Sequence, residues 1–229
     1  MDHILSFSSL FLIAILAVII YKFGTHIHKN EYRYYAGMGF LALIGTVFAL
    51  LNEFGHVDVE GITFVYQVFF QGHLTLAFFV IVMYGGAFKK KSKPKITIMK
   101  VRREMAILGF LTLIPHAVLL IMTALNANNP TGVIAFTILL PLTVTSWPRL
   151  RKKMHAYEWR GFHKWAYLAY AAIFAHLAAI NIVAQEDSLR FVRLAIYTII
   201  FAVYTILKLK NHVFVEKPEP KAKKTKGNG

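Results

Sequence analysis

The sequence predicts an all-α integral membrane protein of about seven transmembrane helices, its amino terminus outside and its carboxyl terminus inside. Three observations carry that prediction. The chain of 229 residues is 57% hydrophobic and only 16% charged, at a mean hydropathy of +0.52, whereas soluble domains hold about 25% charged residues. Uncharged runs long enough to cross a hydrocarbon core of about 30 Å recur along it. Finally, 24 of its 26 Lys and Arg residues fall in alternate loops, as the positive-inside rule requires of a multi-pass chain.

The first run, Ile4 to Tyr21, is eighteen residues without a charge. Asp2 and no basic residue precedes it, and no small-residue cleavage site follows, so it reads as an anchor and not as a signal peptide. Further spans are expected at about 36–52, 62–87, 105–125, 131–147, 161–184 and 191–207. In lipid their backbone must satisfy its own hydrogen bonds, which makes them helices. Gly37, Gly39 and Gly45 in the second span permit close helix approach, and Pro141 in the fifth removes one intrahelical bond. The segment 22–35 holds three Lys and Arg residues, 89–103 eight, 148–164 six and 208–226 seven. The opposite face holds Arg190 and Arg193 among Asp2, Glu53, Asp58, Glu60, Glu186 and Asp187. The net charge of +15 is thus a matter of membrane orientation, and nucleic acid is not an expected partner. The tail 208–229, ending KPEPKAKKTKGNG, is too short and too rich in Lys, Pro and Gly to fold. It is expected to be a basic, disordered cytoplasmic segment along the anionic lipid of the inner leaflet of a plasma or inner membrane.

The chain has no cysteine, which excludes disulfides, iron–sulfur clusters and thiolate metal sites. No Gly-rich phosphate loop, nucleotide-binding motif or internal repeat is present, so any NAD(P)H chemistry belongs to another chain. Ten histidines are the main soft ligands available.

Three of them fall inside predicted spans: His73 in the third, His116 in the fourth and His176 in the sixth. Counting along each helix places all three about 12–17 Å below the outer boundary, in one layer. Ionisable groups at that depth are costly and mark function, and for a neutral imidazole the obvious partner is a metal. The fourth and sixth spans run in the same direction, so His116 and His176 can face each other across the width of a porphyrin. Two axial imidazoles on a b-type haem fit that arrangement, with Phe78, Phe79, Phe110 and Phe174 as candidates to line the macrocycle. A bare zinc or copper ion needs further ligands; only His73 is at hand, and no buried carboxylate is expected. For any one such histidine, a helix-to-helix hydrogen bond is the competing explanation.

His163 lies thirteen residues before His176, at the inner boundary beside Trp159, Arg160 and Lys164. On an ideal helix it stands about 140° around from His176. A second, inner haem therefore requires a distortion of that helix.

The stretch TSWPRLRKKMHAYEWRGFHKWAYLAYAAIFAH joins a basic loop to a histidine, a Tyr-Leu pair and a second histidine thirteen positions on. It resembles the ferric-reductase-like transmembrane family, and within it the haem-binding membrane subunit of the methionine sulfoxide reductase system. VRREMAILGFLTLIPHA resembles that family's Arg-Arg helix ending in a haem-ligating histidine, and QGHLTLAFFVIVM is a weaker match. The resemblance spans roughly residues 62–207, implying a haem-binding domain there and leaving residues 1–61 as two additional amino-terminal helices with their loops. It implies His116 and His176 as ligands of an outer haem and His163 as the inner position. The residue thirteen before His116 is Arg103, which cannot ligate iron, so one haem is expected and a second stays open. Arg102 and Arg103 offer guanidinium groups to a haem propionate or a flavin phosphate; a positive-inside anchor accounts for them equally well. His73 stands where the sulfoxide-reductase subunit has an arginine, and is expected to contact a propionate in preference to replacing His116.

The expected function is an electron-transfer subunit, the oxidoreductase component of a larger system. Electrons would come from a cytoplasmic flavin reductase, a bound flavin or quinol. They would leave to an extracytoplasmic reductase partner or to ferric iron. Arg149, Arg151, Lys152 and Lys153 could dock an acidic donor, and Glu53, His56, Asp58 and Glu60 could meet a ferric chelate, although topology and solvation explain both groups. The alternative is a non-redox protein such as a small transporter, with its intramembrane histidines as proton relays.

Overall fold

The computed structural model describes residues 8–55, 71–123, 130–183 and 188–213. Among them every regular element is helical. The long helices are α1 (Ser8–Lys29), α2 (Glu31–Gly55), α3 (His73–Ala87), α4 (Lys93–Thr123), α5 (Pro130–Ser146), α6 (Ala166–Val183) and α7 (Arg190–Lys208). Short helices at Pro148–Arg151 and Ala156–Phe162 and a 3-10 turn at His163–Trp165 join α5 to α6, and a π-helical turn, Leu209–Val213, extends α7. Three stretches are long and apolar enough to cross a membrane: Ser8–Lys29, Ala156–Val183 and Arg190–His212. Helices α3 and α5 are apolar but shorter. Those features make this an all-helical protein of membrane type.

Several boundaries differ from the sequence expectation. The segment 22–35 is a loop in that reading, yet α1 runs through it to Lys29 and only Asn30 separates it from α2. Helix α4 starts at Lys93, twelve residues before the expected 105. Lys and Arg are good helix formers, Pro94 is tolerated in a first turn, and the Ser92 carbonyl accepts from Ile96 N–H at 3.0 Å to open the helix. The span expected at 62–87 is described only from Gln71 onward, and its helix begins at His73, directly after Gly72 in the left-handed conformation (φ 73°). Asp2, His56, Asp58, Glu60, Glu186 and Asp187 lie outside the described residues, as does the side chain of Glu53.

Helix α3 has no polar face. Every residue from Thr75 to Met83 is buried, as expected of a helix surrounded by others. It packs chiefly on α4, with α1 closing over both, α2 lying on α4, α6 between α5 and α7, and α7 returning to α3. Glycine sets the closeness of the α3–α4 contact: a Cβ on Gly109 would stand 2.8 Å from Phe78 Cβ, and one on Gly85 2.5 Å from Ile98 Cγ2. Beside that contact the Thr112 hydroxyl donates to the Gly109 carbonyl at 2.9 Å, so the Thr75 hydroxyl is the donor in the 3.0 Å bond between the two threonines. Gly109→Ala is expected to destabilise the bundle by about 1–3 kcal/mol through this overpacking, seen as a lower melting temperature in detergent.

The carboxyl end of α3 is closed by the end of α7. Lys208 Nζ, Asn211 Nδ2 and His212 Nε2 donate to the carbonyls of Gly86, Ala87 and Phe88 at 3.2, 3.1 and 3.2 Å. Lys95 Nζ also donates to the Phe88 carbonyl at 3.1 Å, so the carbonyls left open at this helix terminus are satisfied by side chains. The segment expected to be disordered from residue 208 therefore begins with a folded turn; residues 214–229 lie outside the described residues.

Candidate functional site

The His116 and His176 rings meet at one end of the bundle, their centroids 6.2 Å apart and their planes at 76°. Two metal–imidazole bonds of about 2 Å and two half-rings of about 1.1 Å would separate the centroids by about 6.2 Å. The pair is thus spaced to hold one metal centre between the two imidazoles. Glycine makes room for the His176 ring, whereas at Gly72 a Cβ would only touch the His116 ring. A Cβ on Gly132, in α5, would lie 2.8 Å from His176 Cε1, and one on Gly72 would lie 3.6 Å from three atoms of the His116 ring. His176 Nδ1 is buried and has no hydrogen-bond partner among the described residues, an arrangement that costs about 1–3 kcal/mol unless something takes the nitrogen. Pro115 lies inside α4 just before His116 and leaves the Leu111 carbonyl without its helical donor.

His73 stands within electrostatic reach of His116 and Arg193, and its Nε2 bonds Gln71 Oε1 at 3.0 Å. Arg193 Nε in turn donates to Asn181 Oδ1 at 3.0 Å, and Asn181 is buried. The three histidines share one end of the bundle, but they do not close into a group of three ligand atoms within 4.8 Å. That spacing favours a group held by two of them over a bare ion held by all three. Of the four phenylalanines expected around a macrocycle, Phe79 lines an apolar cavity, and the other three pack on neighbouring side chains. Phe78 packs with Ile81, Val82 and Leu108 in the core, Phe110 stacks on Phe136, and Phe174 lies against Phe201.

His163 lies toward the opposite end, in the 3-10 turn that interrupts the helix. The turn supplies the distortion that an ideal helix lacked: His163 faces Ser146 and His176 faces Gly132, so both rings look onto α5. Its Nδ1–H donates to the Trp159 carbonyl at 3.1 Å, its Nε2 meets Ser146 Oγ at 3.0 Å, and the Trp159 ring lies over it at 4.0 Å. Held by Nδ1 in this way, the neutral ring carries its lone pair on Nε2, which here is occupied by Ser146.

Two adjoining cavities of about 250 and 220 Å³ share Arg102, Trp159, His163 and Tyr170. One is ringed by Lys95, Arg160, Lys164 and Lys208; the other is walled by Phe79, Val82, Leu139 and Leu142. Burial, and then Lys208, Arg102 and Lys90, hold the Lys95 ammonium below its ordinary range, as expected where cations converge without an anion. Together the cavities suit a flat apolar body carrying an anionic group.

The two arginines part company. Arg102 lines both cavities, whereas Arg103 borders only the apolar one and is paired with Glu31 and, at 2.7 Å, with Glu104. Glu104 is only 1% exposed and also bonds His28 Nδ1 at 2.9 Å. The expectation that no carboxylate is buried is therefore wrong. The acid lies beside the Arg-Arg pair where α4 passes into its apolar part, a position that hides it in the sequence among topological charges.

No protein-family model matches the chain, no curated protein matches it, and no solved structure matches it.

Proposed function

We propose that the protein carries electrons across a membrane through a b-type haem held by His116 and His176. The observation that carries this reading is their 6.2 Å centroid separation, supported by the buried nitrogen of His176 without a partner among the described residues and by Gly132 beside its ring. The proposed topology is seven spans with the amino terminus outside. The two histidines then lie toward the outer face and the Arg102–His163 cavities toward the cytoplasm. A haem between two imidazoles supplies a one-electron carrier whose potential follows from its ligands and their surroundings.

The chain's own residues do the rest. His116 and His176 would hold the metal, Gly132 leaves space for the His176 ring, and Arg193, held by Asn181, would offer a cation to a propionate. At the other end Arg102 and Lys95 attract an anionic donor group. The apolar wall of Leu139 and Leu142 takes a flat ring, in keeping with a flavin or a second haem. Quinol would use the apolar part alone. The resemblance to the ferric-reductase-like family supports the same assignment of His116, His176 and His163. A soluble flavin reductase is the donor class that needs no nucleotide domain in this chain, and the acceptor is an extracytoplasmic reductase or ferric iron.

The absorption spectrum of the purified protein tests this reading. Dithionite reduction is expected to yield sharp visible bands of a six-coordinate b haem, with about one haem per chain by pyridine haemochrome. A protein purified from haem-sufficient cells without those bands would leave the proton-relay transporter as the better account.

A further inference from the structure

A second cluster joins α1, α2 and α4, in the first two of which the family resemblance has no part. We propose that His28, Glu31 and Glu104 form a binding site for a divalent first-row cation of the zinc or manganese class. Their ligand atoms, one imidazole nitrogen and two carboxylate oxygens, all lie within 4.8 Å of one another. Three protein ligands of N and O type with an open position are a common zinc set, and mixed imidazole–carboxylate donors also suit manganese.

The second observation is Tyr35. It is 4% exposed, its buried hydroxyl makes no hydrogen bond of regular geometry among the described residues, and Glu104, Arg103 and Glu31 are its charged neighbours, the Arg103 guanidinium standing close by. A buried hydroxyl normally finds a partner, and a cation's ligand shell would supply one. Trp147 packs against the Tyr35 ring at 5.2 Å and fixes its direction.

Charge balance points the same way. Arg103 offers one positive charge to two carboxylates, Glu31 and Glu104. A divalent cation balances both acids. Arg103 Nε has no partner, and the residue borders the apolar cavity of about 220 Å³, so the guanidinium has space to withdraw into when a cation takes the oxygens. His28, with its side chain 48% exposed, provides the route from solvent.

Isothermal titration of the full chain in detergent, with any affinity tag removed, tests the site with Zn²⁺ and then Mn²⁺. One saturable site per chain is expected, weakened about 10–100-fold by His28→Ala and by Glu104→Gln, and unchanged by His73→Ala at the other end of the bundle. Zinc X-ray absorption should show a single imidazole among oxygen donors. The proposal is overturned if neither ion binds saturably, or if binding survives His28→Ala undiminished. Because His28 is half exposed, that variant keeps the test valid even where Glu104→Gln misfolds.

Discussion

Purified His176→Ala is expected to lose nine-tenths or more of the bound haem, about a tenfold effect of the kind that follows disruption of a metal site. His116→Ala should match it. Each imidazole supplies one side of the axial pair, and with centroids 6.2 Å apart neither side has a substitute in position. His73 does not complete a three-ligand group with them, so His73→Ala should leave haem content near that of the parent. His163→Ala should also retain the outer haem, since its ring bonds Trp159 and Ser146. Gly132→Ala makes the argument spatial: the new methyl would sit 2.8 Å from His176 Cε1 and turn the ring away. It should reduce haem content while leaving the helical circular dichroism intact. Full haem in His176→Ala would refute the ligand assignment.

The second large effect is on stability. Arg103→Met should destabilise the protein by about 3 kcal/mol or more, because it leaves a buried acid short of its strongest partner. Glu104 is 1% exposed and would keep only His28, while Glu31 would lose the same guanidinium. The double variant Arg103→Met, Glu104→Leu should recover much of the loss, since replacing a buried pair with apolar groups is often neutral. Thermal melting in detergent measures both. A single variant as stable as the parent would mean that Glu104 is protonated or hydrated in the native state.

The helical, membrane-type character was legible from hydropathy alone, because apolar runs and charge-rich loops are one-dimensional features. Pairing His116 with His176 was also legible, since equal depth on two parallel helices can be counted along the chain. The 3-10 turn at His163 was not, as nothing in FHKW marks a three-residue change from α-helical to 3-10 winding. Glu104 was missed for a related reason. Its partners His28 and Glu31 lie more than seventy positions earlier, and no local pattern announces a contact of that range. The extension of α4 back to Lys93 escaped because basic residues were counted for topology, although they favour helix as well.

Helix α5 touches both sites, with Gly132 against His176 at one end and Ser146 against His163 at the other, and Pro141 between them. The sites at the two ends of the bundle are therefore lined by one and the same helix, and a displacement of α5 bears on both the Gly132–His176 and the Ser146–His163 contacts.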